Sequence, residues 1–580
     1  MALQIKETQD SYDVIIVGSG AGGGMASKIL SEAGLSVAVV EAGGDFDPAK
    51  EEDRTQLRPP WESPRRGAGT KIRPFGDFDQ AIGGWEIDGE PYTRKDGTQF
   101  DWFRSRMVGG RTNHWGRISL RFGPNDFKRA SIDGMGHDWP IGYEVLKPYY
   151  DKVDKLIGVF GSKEGIFNEP DGFFLPPPKP RLHELFIKRG ADKAGIPMIP
   201  GRLSMLTRPI NAERGVCFFC NQCNRACQAY ADFSSGTCLI HPAMKKGKVD
   251  LFTYSMVRKV TTDDTGKANG VSFVSKIDRK EYKLKSRVVV LGASACESAR
   301  ILMNSKSKAH PDGIGADSGV LGRYLHDSTG ADRMGILPEL IDRDRYNEDG
   351  VGGMHMYTPW WKDNKQLDFA RGYHIEYWGG MGQPAYGAGG GMDSLRKYLK
   401  DEFGNPSPNG GYGTGLKKDI RRIYGSTLGM SGRGESIPQY SNYCEIDPNV
   451  VDSFGIPVLR FHYKWTDQEI KQAKHMQDTF EEILTQAGAT LLGSKPGPES
   501  MYGLAGPGRI IHEVGTTRMS NDPKSGVVSS NCQVHACKNL FIVDAGPFVS
   551  QADKNPTWTI LALSWRTSDY IIEQLKQKNI

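Results

Sequence analysis

The chain has 580 residues, of which 38% are hydrophobic and 25% are charged, a balance typical of a folded globular protein and not of a disordered one. Its formal net charge of +5 is small for such a length, so no nucleic-acid partner is expected. No apolar stretch approaches the roughly 18–20 residues that cross a bilayer, so no membrane span is expected either.

The first predicted element is a βαβ unit near the N-terminus. Residues 13–17 form a continuous run of mostly β-branched side chains, which predicts a buried parallel strand, and residues 37–41 predict a second one. Between them, residues 21–33 predict a helix. No basic segment leading into an apolar one precedes this unit, so the chain is expected to carry no signal peptide of its own.

A glycine-rich motif joins the first strand to the helix. Gly18, Gly20 and Gly23 match the G-x-G-x-x-G pattern, and Glu41 ends the second strand. Such glycines permit a tight turn and let the backbone approach a pyrophosphate at the helix N-terminus, while the carboxylate accepts hydrogen bonds from a ribose. The motif therefore predicts a dinucleotide site without separating FAD from NAD, and a plain strand-to-helix turn is the alternative.

The rest of the chain alternates between predicted elements and long loops. Residues 45–100 are polar and rich in proline and glycine, which predicts an excursion over the surface. A cysteine-rich loop spans residues 217–238, and from about residue 327 the pattern changes to alternating strands. Thr466 and Glu469 form a capping box. The predicted helices are 138–157, 181–195, 295–305 and 467–487, and the predicted strands are 288–292, 373–377, 458–463 and 540–543.

Five further blocks occur in a fixed order along the chain. They are residues 108–115 (VGGRTNHW), 290–300 (VLGASACESAR), 511–519 (IHEVGTTRM), 539–546 (NLFIVDAG) and 555–560 (NPTWTI). Together they resemble the glucose–methanol–choline (GMC) family of flavoprotein oxidoreductases over nearly the whole chain. The resemblance implies FAD as the cofactor. It also implies an α/β fold, in which a Rossmann-like FAD-binding domain is interleaved with an α+β substrate-binding domain built on an antiparallel sheet.

Two more segments refine the resemblance. Residues 121–127 and 138–140 are similar to bacterial FAD-dependent sugar dehydrogenases of this family, the glucose, gluconate and glucoside 3-dehydrogenase catalytic subunits. On this basis, residues 11–326 are expected to form the first part of the FAD-binding domain, including the cysteine-rich loop. Residues 327–500 are expected to form mainly the substrate-binding domain, and residues 501–580 the C-terminal part of the FAD-binding domain.

The C-terminal blocks contain the expected catalytic pair. The resemblance assigns His512 as the base that removes the hydroxyl proton of an alcohol, and histidine suits this role because its unperturbed pKa is about 6.5. The resemblance assigns Asn555 as the hydrogen-bond donor that orients the substrate oxygen. Without their motifs, such a histidine is more often part of a core and Asn-Pro is more often a turn.

The resemblance also assigns residues to the cofactor. Thr112 and Asn113 are expected to bond the flavin edge, and Val257 to meet the adenine through its backbone. His114 is either a covalent attachment point for FAD, as in some pyranose oxidases, or a histidine packed beside the flavin. The full expected set is Gly18, Gly20, Gly23, Glu41, Gly109, Gly110, Thr112, Asn113, His114, Val257, Asp544, Ala545, Asn555 and Thr557.

Four cysteines lie within eleven residues, with the spacing C-x2-C-x2-C-x3-C of the bacterial ferredoxin run. They are Cys217, Cys220, Cys223 and Cys227. The spacing predicts an iron–sulfur cluster, either [4Fe-4S] or [3Fe-4S]. Because Gln228 and not proline follows the run, the fourth ligand is left open between Cys227, Cys238 and none. A structural zinc site and a disulfide pair are the alternatives.

The predicted cluster has consequences for partners and compartment. A cluster would pass electrons one at a time from the flavin to a protein acceptor. The resemblance implies a small companion subunit and a cytochrome c-type acceptor, and such a companion can carry the export signal. We therefore expect a cytoplasmic protein, or a periplasmic one if it is exported with a signal-bearing partner.

The expected reaction is the oxidation of a ring hydroxyl of a sugar or glucoside by hydride transfer to flavin N5, with C3 as a candidate carbon. Several aromatic residues either pack on a sugar ring or belong to a core. They are Trp360, Trp361, Tyr373, Tyr377 and Trp378. The glycine-rich residues 379–391 are a candidate lid. The alternatives are an oxygen-using pyranose or alcohol oxidase with structural cysteines and a flavin-retaining lyase.

Overall fold

The computed structural model describes residues 11–54, 82–221, 223, 226–246, 248–343, 350–380, 405 and 413–580. Within these ranges the chain forms two principal sheets, one mixed and one antiparallel. Residues 55–81 of the predicted surface excursion lie outside the described residues, and so does the predicted lid after Gly380.

The strands are numbered in chain order. They are β1 (Tyr12–Val17), β2 (Val37–Val40), β3 (Gly83–Gly84), β4 (Thr93–Arg94), β5 (Arg104–Ser105), β6 (Val159–Phe160), β7 (Phe174–Leu175), β8 (Ile199–Pro200), β9 (Val249–Phe252), β10 (Ser255–Thr262), β11 (Ala268–Ser275), β12 (Glu281–Leu291), β13 (Thr329–Ile336), β14 (Met356–Thr358), β15 (Tyr373–Gly379), β16 (Thr427–Gly434), β17 (Tyr443–Val451), β18 (Pro457–His462), β19 (Thr490–Leu491) and β20 (Leu540–Ile542).

A seven-stranded sheet contains the N-terminal βαβ unit. Its order is β10-β11-β12-β1-β2-β9, and β20 pairs with β12. β1 lies between β2 and β12, and Val14 pairs in parallel with both Val37 and Val288. These strands are buried on both faces, which explains why they are continuous apolar runs in the sequence. The predicted unit is confirmed, and the predicted strand near residue 540 joins the same parallel set.

The helices are α1 (Ala21–Glu32), α2 (Arg129–Asp133), α3 (Tyr143–Ile157), α4 (Leu182–Lys193), α5 (His241–Lys245), α6 (Ala295–Asn304), α7 (Gly413–Ile423), α8 (Asp467–Gln486) and α9 (Thr557–Lys576). α1 starts at the glycine motif, and Ser564 Oγ of α9 donates to the Gly22 carbonyl at 2.7 Å, so the last helix packs on the first. Thr466 and Glu469 form the predicted capping box of α8. Among the described helices, none combines the length and the apolar character needed to cross a membrane.

The second sheet is antiparallel and has the order β19-β13-β16-β15-β14-β8. α4 and α8 pack on one of its faces, where Tyr373, Ile375 and Phe480 belong to one apolar core. The predicted α/β fold with an antiparallel substrate-side sheet is therefore confirmed. β8 joins this sheet from within the predicted segment 11–326, so the two sheets are interleaved more finely than the three predicted segments. The domain boundaries themselves stay predictions.

Candidate active site

A cavity lies where the first turn of the βαβ unit meets the segments that follow β12 and β20. Its volume is about 290 Å³, near the lower end of the roughly 300–1000 Å³ that is typical of sites for small molecules and cofactors. The predicted residues that line it are Gly18, Gly20, Glu41, Gly110, Thr112, His114, Val257, His512, Asp544, Ala545, Asn555 and Thr557. The fold thus brings the predicted cofactor-binding and catalytic residues into one space.

Three predicted residues shape the wall of the cavity without lining it. They are Gly23, Gly109 and Asn113. Asn113 Nδ2 donates to the Val108 and Gly110 carbonyls at 2.9 Å each, and Ser234 Oγ donates to Asn113 Oδ1 at 2.8 Å. The Asn113 amide is thereby engaged with its own loop and a neighbouring segment, so it holds the loop in shape behind the cavity.

The glycine motif leaves room for a ligand at the start of α1. A Cβ placed at Gly20 would have no protein atom within 4 Å, so the Gly20 backbone faces open space. At Gly22 and Gly23, a Cβ would lie 2.0 Å from the Val543 oxygen and 1.9 Å from the Gly18 oxygen. These two glycines therefore allow backbone segments to pack, while Gly20 leaves space for a pyrophosphate at the helix N-terminus.

Glu41 stabilises the same turn from the residue that follows β2. Its Oε2 accepts hydrogen bonds from Ser19 N at 3.1 Å and from Ser19 Oγ at 2.6 Å, and its Oε1 accepts from Gly43 N at 2.9 Å. The carboxylate also lines the cavity and has lone pairs in excess of these three bonds. Glu41 can therefore order the turn and accept a ribose hydroxyl at once.

The two kinds of glycine lead to a prediction. We expect Gly20→Ala to leave the stability of the apoprotein unchanged but to weaken FAD binding by about tenfold or more, because its Cβ takes space that the cofactor's phosphates need. Gly22→Ala should instead destabilise the apoprotein, since its Cβ meets the backbone of Val543. Denaturant unfolding of both apoproteins and titration with FAD measure the two effects. Equal loss of FAD affinity and of stability in both variants would contradict this assignment.

His512 and Asn555 are adjacent at one end of the cavity. Asn555 Nδ2 lies 3.3 Å from His512 Nε2, and the buried Asn555 Oδ1 has no hydrogen-bond partner among the described residues. Asn555 precedes Pro556 and the first turn of α9, so the helix start fixes its position. The predicted catalytic pair is therefore assembled, with a polar atom left unsatisfied beside it.

The other ring nitrogen of His512 is held by residues that the sequence did not indicate. Ser328 Oγ lies 3.1 Å from His512 Nδ1, and Gln551 Nε2 donates to Ser328 Oγ at 2.6 Å. Because the Asn555 amide group donates toward Nε2, the ring proton of the neutral histidine belongs on Nδ1 and is donated to Ser328. This arrangement leaves the Nε2 lone pair available as a base.

The surroundings of His512 keep it neutral. Burial has the largest effect and lowers its pKa to about 3. Glu376 opposes this shift, whereas Arg433, His374 and Arg111 contribute to it. Neither Glu376 nor Arg433 was predicted to belong to the site. They come from β15 and β16 of the antiparallel sheet, which brings them near His512 only after folding.

The lowered pKa predicts an unusual pH dependence. We expect the second-order rate of flavin reduction to show no ionisation of His512 between pH 5 and 8, because protonation begins only as the pH falls toward about 3. In the unfolded chain this histidine takes up its proton near pH 6.5, so it makes the folded state less stable as the pH falls from 6.5 to 3. Anaerobic stopped-flow reduction across this range tests the prediction. A pKa near 6.5 that disappears in His512→Gln would contradict it.

An ion pair joins the two loops on either side of the cavity. Arg111 Nη2 lies 2.7 Å from Glu513 Oε1, and Arg111 Nη1 donates to the Ile511 carbonyl at 3.2 Å. This contact fixes the loop before His114 against the segment that carries His512. His114 itself is buried, and its Nε2 lies 3.2 Å from Ser105 Oγ.

The cysteine run is not arranged around a common point. The part of the chain that the structure describes contains no group of three or more His, Cys, Asp or Glu side chains placed to hold a metal ion, and its nine cysteines form no disulfide. Cys223 and Cys227 are buried, and burial raises the pKa of the Cys223 thiol well above its ordinary value and that of Cys227 to about 12. The predicted cluster on Cys217, Cys220, Cys223 and Cys227 therefore has no support in this arrangement.

The aromatic residues of the antiparallel sheet divide between core and surface. Tyr373 and Tyr377 are 0% and 2% exposed and lie in the apolar core of the sheet. These two residues therefore belong to the core and do not offer a surface to a sugar ring. Trp360 and Trp361 are half-buried and pack against the same core. Trp378 is also half-buried, and its Nε1 donates to Ser431 Oγ at 3.0 Å on the opposite face.

Comparison with known families matches most of the chain. Residues 12–329 and 438–564 match the N-terminal and C-terminal domains described as GMC oxidoreductase. These two ranges contain the glycine motif, the loop that ends at His114, the cysteine run and both predicted catalytic residues.

Individual relatives extend over the full length. A 2-methyl-1,2-propanediol dehydrogenase of Mycolicibacterium austroafricanum is 27% identical over 97% of this chain and 95% of its own. A fructose dehydrogenase large subunit of Gluconobacter japonicus is 24% identical over 98% of this chain and 99% of its own. Among solved structures, a formate oxidase of Aspergillus oryzae studied for its FAD modification has a TM-score of 0.65 at 13% identity and covers 99% of this chain and 100% of its own. This structural likeness shows a shared fold.

Proposed function

The chain belongs to the GMC oxidoreductase family, whose members related to it oxidise CH–OH groups, and from this premise we propose that it oxidises a ring hydroxyl of a sugar or glucoside. C3 is the candidate carbon. The supporting relatives are the diol dehydrogenase and the fructose dehydrogenase large subunit, and both extend over nearly the whole chain.

The cavity suits FAD, the cofactor that the family implies. The Gly20 backbone, Glu41, Val257 and the segment at Asp544 and Ala545 are the residues that would hold it. The open space at Gly20 and the crowded backbone at Gly22 match the requirements of a dinucleotide turn. When bound, FAD supplies an acceptor at N5 for the hydride that leaves the alcohol carbon.

The protein's own contribution is to bind the hydroxyl and take its proton. A substrate hydroxyl between His512 and Asn555 donates its proton to His512 Nε2, while the Asn555 amide supports the negative charge that develops on the oxygen. The Nδ1 proton, held by Ser328, stabilises the resulting imidazolium. The alcohol thereby loses one proton to the histidine and one hydride to the cofactor, and it becomes a ketone.

One observation carries this proposal. A histidine held neutral lies 3.3 Å from the amide of Asn555, whose oxygen is unsatisfied, inside a cavity built by a dinucleotide motif. The test is anaerobic incubation with methyl α-D-glucopyranoside, followed by flavin absorbance and by ¹³C NMR of the product. Bleaching of the flavin with a new ring carbonyl supports the proposal. If no neutral sugar or polyol reduces the flavin, the proposal is wrong.

The electron acceptor is a separate proposal. We propose that a redox partner other than dioxygen reoxidises the cofactor, a cytochrome-type protein acting with a companion subunit. Two relatives of full length are named dehydrogenases, one of them a large subunit. Two others of full length are named oxidases, so the oxidase alternative is tested with it. The described cysteines do not gather into a group that could hold an iron–sulfur cluster. The cluster, like the compartment, stays a prediction from the sequence.

We expect artificial one-electron acceptors to reoxidise the reduced enzyme at least about tenfold faster than air-saturated buffer does. Stopped-flow reoxidation with ferricenium, compared with peroxide formation in air, measures the difference. The iron and acid-labile sulfide content per flavin of the same preparation, purified anaerobically, tests whether an iron–sulfur cluster is present. Fast peroxide production without iron or sulfide would contradict the proposal and leave the oxidase alternative.

A further inference from the structure

The face of the antiparallel sheet opposite its apolar core carries polar side chains. Along β15, Tyr373, Ile375 and Tyr377 point into the core, so His374 and Glu376 belong to the other face because side chains alternate along a strand. In the pairing of β15 with β16, His374 lies opposite Arg433 and Glu376 opposite Ser431. We call His374, Glu376, Trp378, Ser431 and Arg433 the polar face.

The polar face adjoins the catalytic end of the cavity. Glu376, Arg433 and His374 all act electrostatically on His512, the first raising and the other two lowering its pKa. Gly330 connects the two regions, because a Cβ there would lie 2.4 Å from Ile510 Cδ1 and 3.3 Å from Arg433 Nη1, and Ile510 lines the cavity. The polar face therefore lies next to the catalytic end, although its five residues are not among those that line the cavity.

Glu376 and Arg433 are close but do not satisfy each other. Arg433 Nε lies 3.6 Å from Glu376 Oε2, beyond the 2.7–3.2 Å of an N–H···O hydrogen bond. The Arg433 side chain is 19% exposed and that of Glu376 is 17% exposed. Arg433 Nη1 also donates to the Gly432 carbonyl at 2.8 Å, and the guanidinium has further N–H groups with which to donate to a ligand. His374 Nε2, 3.1 Å from Glu376 Oε1, fixes the carboxylate, and His374 Nδ1 lies 2.5 Å from the Asp553 carbonyl, two residues before Asn555.

The charge state of the pair follows from its neighbours. Burial opposes ionisation of Glu376, but Arg433 and His374 lower its pKa to about 2, so it is a carboxylate at neutral pH. A carboxylate accepts hydrogen bonds from hydroxyl groups and a guanidinium donates them. Because the two charges are opposite and adjacent, the pair favours a neutral ligand with several hydroxyls over an ion.

Trp378 provides an apolar surface at the end of the same face. A Cβ at Gly429 would lie 2.3 Å from Trp378 Cζ2, so the glycine makes room for the indole over β16. The bond from Trp378 Nε1 to Ser431 Oγ at 3.0 Å holds the ring in place. An aromatic ring fixed beside hydrogen-bonding groups suits a ligand that has both C–H faces and hydroxyl edges.

We propose that Glu376 and Arg433, beside Trp378, form the subsite that binds the hydroxyl groups flanking the oxidised carbon, so that the substrate class is a neutral ring with adjacent hydroxyls. Glu376 accepts from one flanking hydroxyl and Arg433 donates to the other, and His512 takes the proton of the hydroxyl between them. This inference rests on the proposed function, since it names the substrate of the same site.

The test measures every substrate with every variant, so that the loss of a substrate hydroxyl can be compared with the loss of a protein side chain. The substrates are methyl α-D-glucopyranoside and its 2-deoxy and 4-deoxy analogues, and the variants are Glu376→Gln and Arg433→Gln in the holoenzyme. Hydrogen bonds to charged groups are worth about 1.5–3 kcal/mol. In the native protein, the second-order rate of anaerobic flavin reduction should therefore fall about 10- to 100-fold for at least one deoxy analogue. In the variant that lost the corresponding contact, the second-order rates of flavin reduction by the glucoside and by that deoxy analogue should differ by less than about threefold.

Glu445→Gln is the matched control. Glu445 also pairs with an arginine across neighbouring strands, Arg460 at 2.5 Å, but on β17 and β18, away from the cavity lining. We expect this variant to keep the native discrimination between glucoside and deoxy analogues. FAD content and the unfolding midpoint of each variant establish that it is folded.

Binding gives a readout that does not depend on turnover. The 3-deoxy analogue keeps both flanking hydroxyls but has no hydroxyl at C3, and calorimetric titration should show its affinity falling about tenfold or more in Glu376→Gln and Arg433→Gln. If the native enzyme oxidises the glucoside but both variants keep native discrimination and native binding of the 3-deoxy analogue, this inference is overturned. If no sugar reduces the native flavin, the proposed function itself has failed.

Discussion

Replacing His512 with alanine is expected to slow flavin reduction by the substrate by about 10²- to 10⁴-fold while FAD stays bound. The ring presents the lone pair of its unprotonated Nε2 beside Asn555, where a substrate hydroxyl can replace the Asn555 amide as its donor. Without it, the hydroxyl proton has to leave to water before or during hydride transfer, which raises the barrier. Anaerobic stopped-flow reduction at several substrate concentrations separates the loss of rate from any loss of binding.

A matched histidine makes this result specific. His310 is half-buried, its Nε2 lies 3.1 Å from the Gly266 carbonyl between β10 and β11, and it is not among the residues that line the cavity. His310→Ala should reduce its flavin at the native rate. The assignment of the base would be wrong if His512→Ala, with full FAD content, were reduced as fast as the native protein.

The second large effect is expected from Lys554, the residue before Asn555. Its side chain is 2% exposed, and its Nζ lies 2.7 Å from Asp553 Oδ1, 3.1 Å from Asp126 Oδ2 and 3.6 Å from Glu169 Oε2. Lys554→Met would leave these three buried carboxylates without their shared cation. Removing one partner of a buried ion pair typically costs about 3–5 kcal/mol, so we expect the free energy of unfolding to fall by about that amount.

The same substitution should also affect catalysis. The ion cluster fixes the backbone from which Asn555 reaches His512, so folded Lys554→Met should reduce its flavin more slowly. Lys152→Met is the control, since Lys152 pairs with Asp569 at 3.0 Å on the surface, where both side chains are more than a third exposed. Such pairs contribute less than about 1 kcal/mol. Denaturant unfolding of both holoproteins measures the two losses of unfolding free energy. If both losses were small and equal, the buried ion cluster around Lys554 would not hold this segment.

The sequence by itself determined the cofactor half of the protein. The alternation of a β-branched run, a glycine motif and a helix is local, so Gly18, Gly20 and Glu41 could be assigned before any tertiary contact was known. The ordered blocks likewise indicated His512 and Asn555, which the fold brings to 3.3 Å. The glycine turn could be placed in this way because glycine spacing and hydrophobic periodicity depend on neighbours along the chain, and the roles of these residues stay predictions.

Tertiary structure alone decided what surrounds the catalytic pair. Ser328 lies 184 residues from His512, and Gln551 lies 223 residues from Ser328, so no local pattern could have paired them. The cysteine run is a local pattern that predicted a metal site. Its spacing does not determine the direction of the cysteine side chains, and the described residues do not bring them together to hold a metal ion.

The aromatic strand β15 shows the physical reason most clearly. Alternation along the strand predicts that Tyr377 and Trp378 face opposite ways, but not which of them faces the core. The packing of α4 and α8 on one side of the sheet decides it, because it buries Tyr377 and leaves Trp378 on the opposite face, which also carries Glu376 and Arg433. The alternation of side chains along a strand follows from the sequence alone. Which of the two faces stays open for a site depends on the helices that pack on the other face.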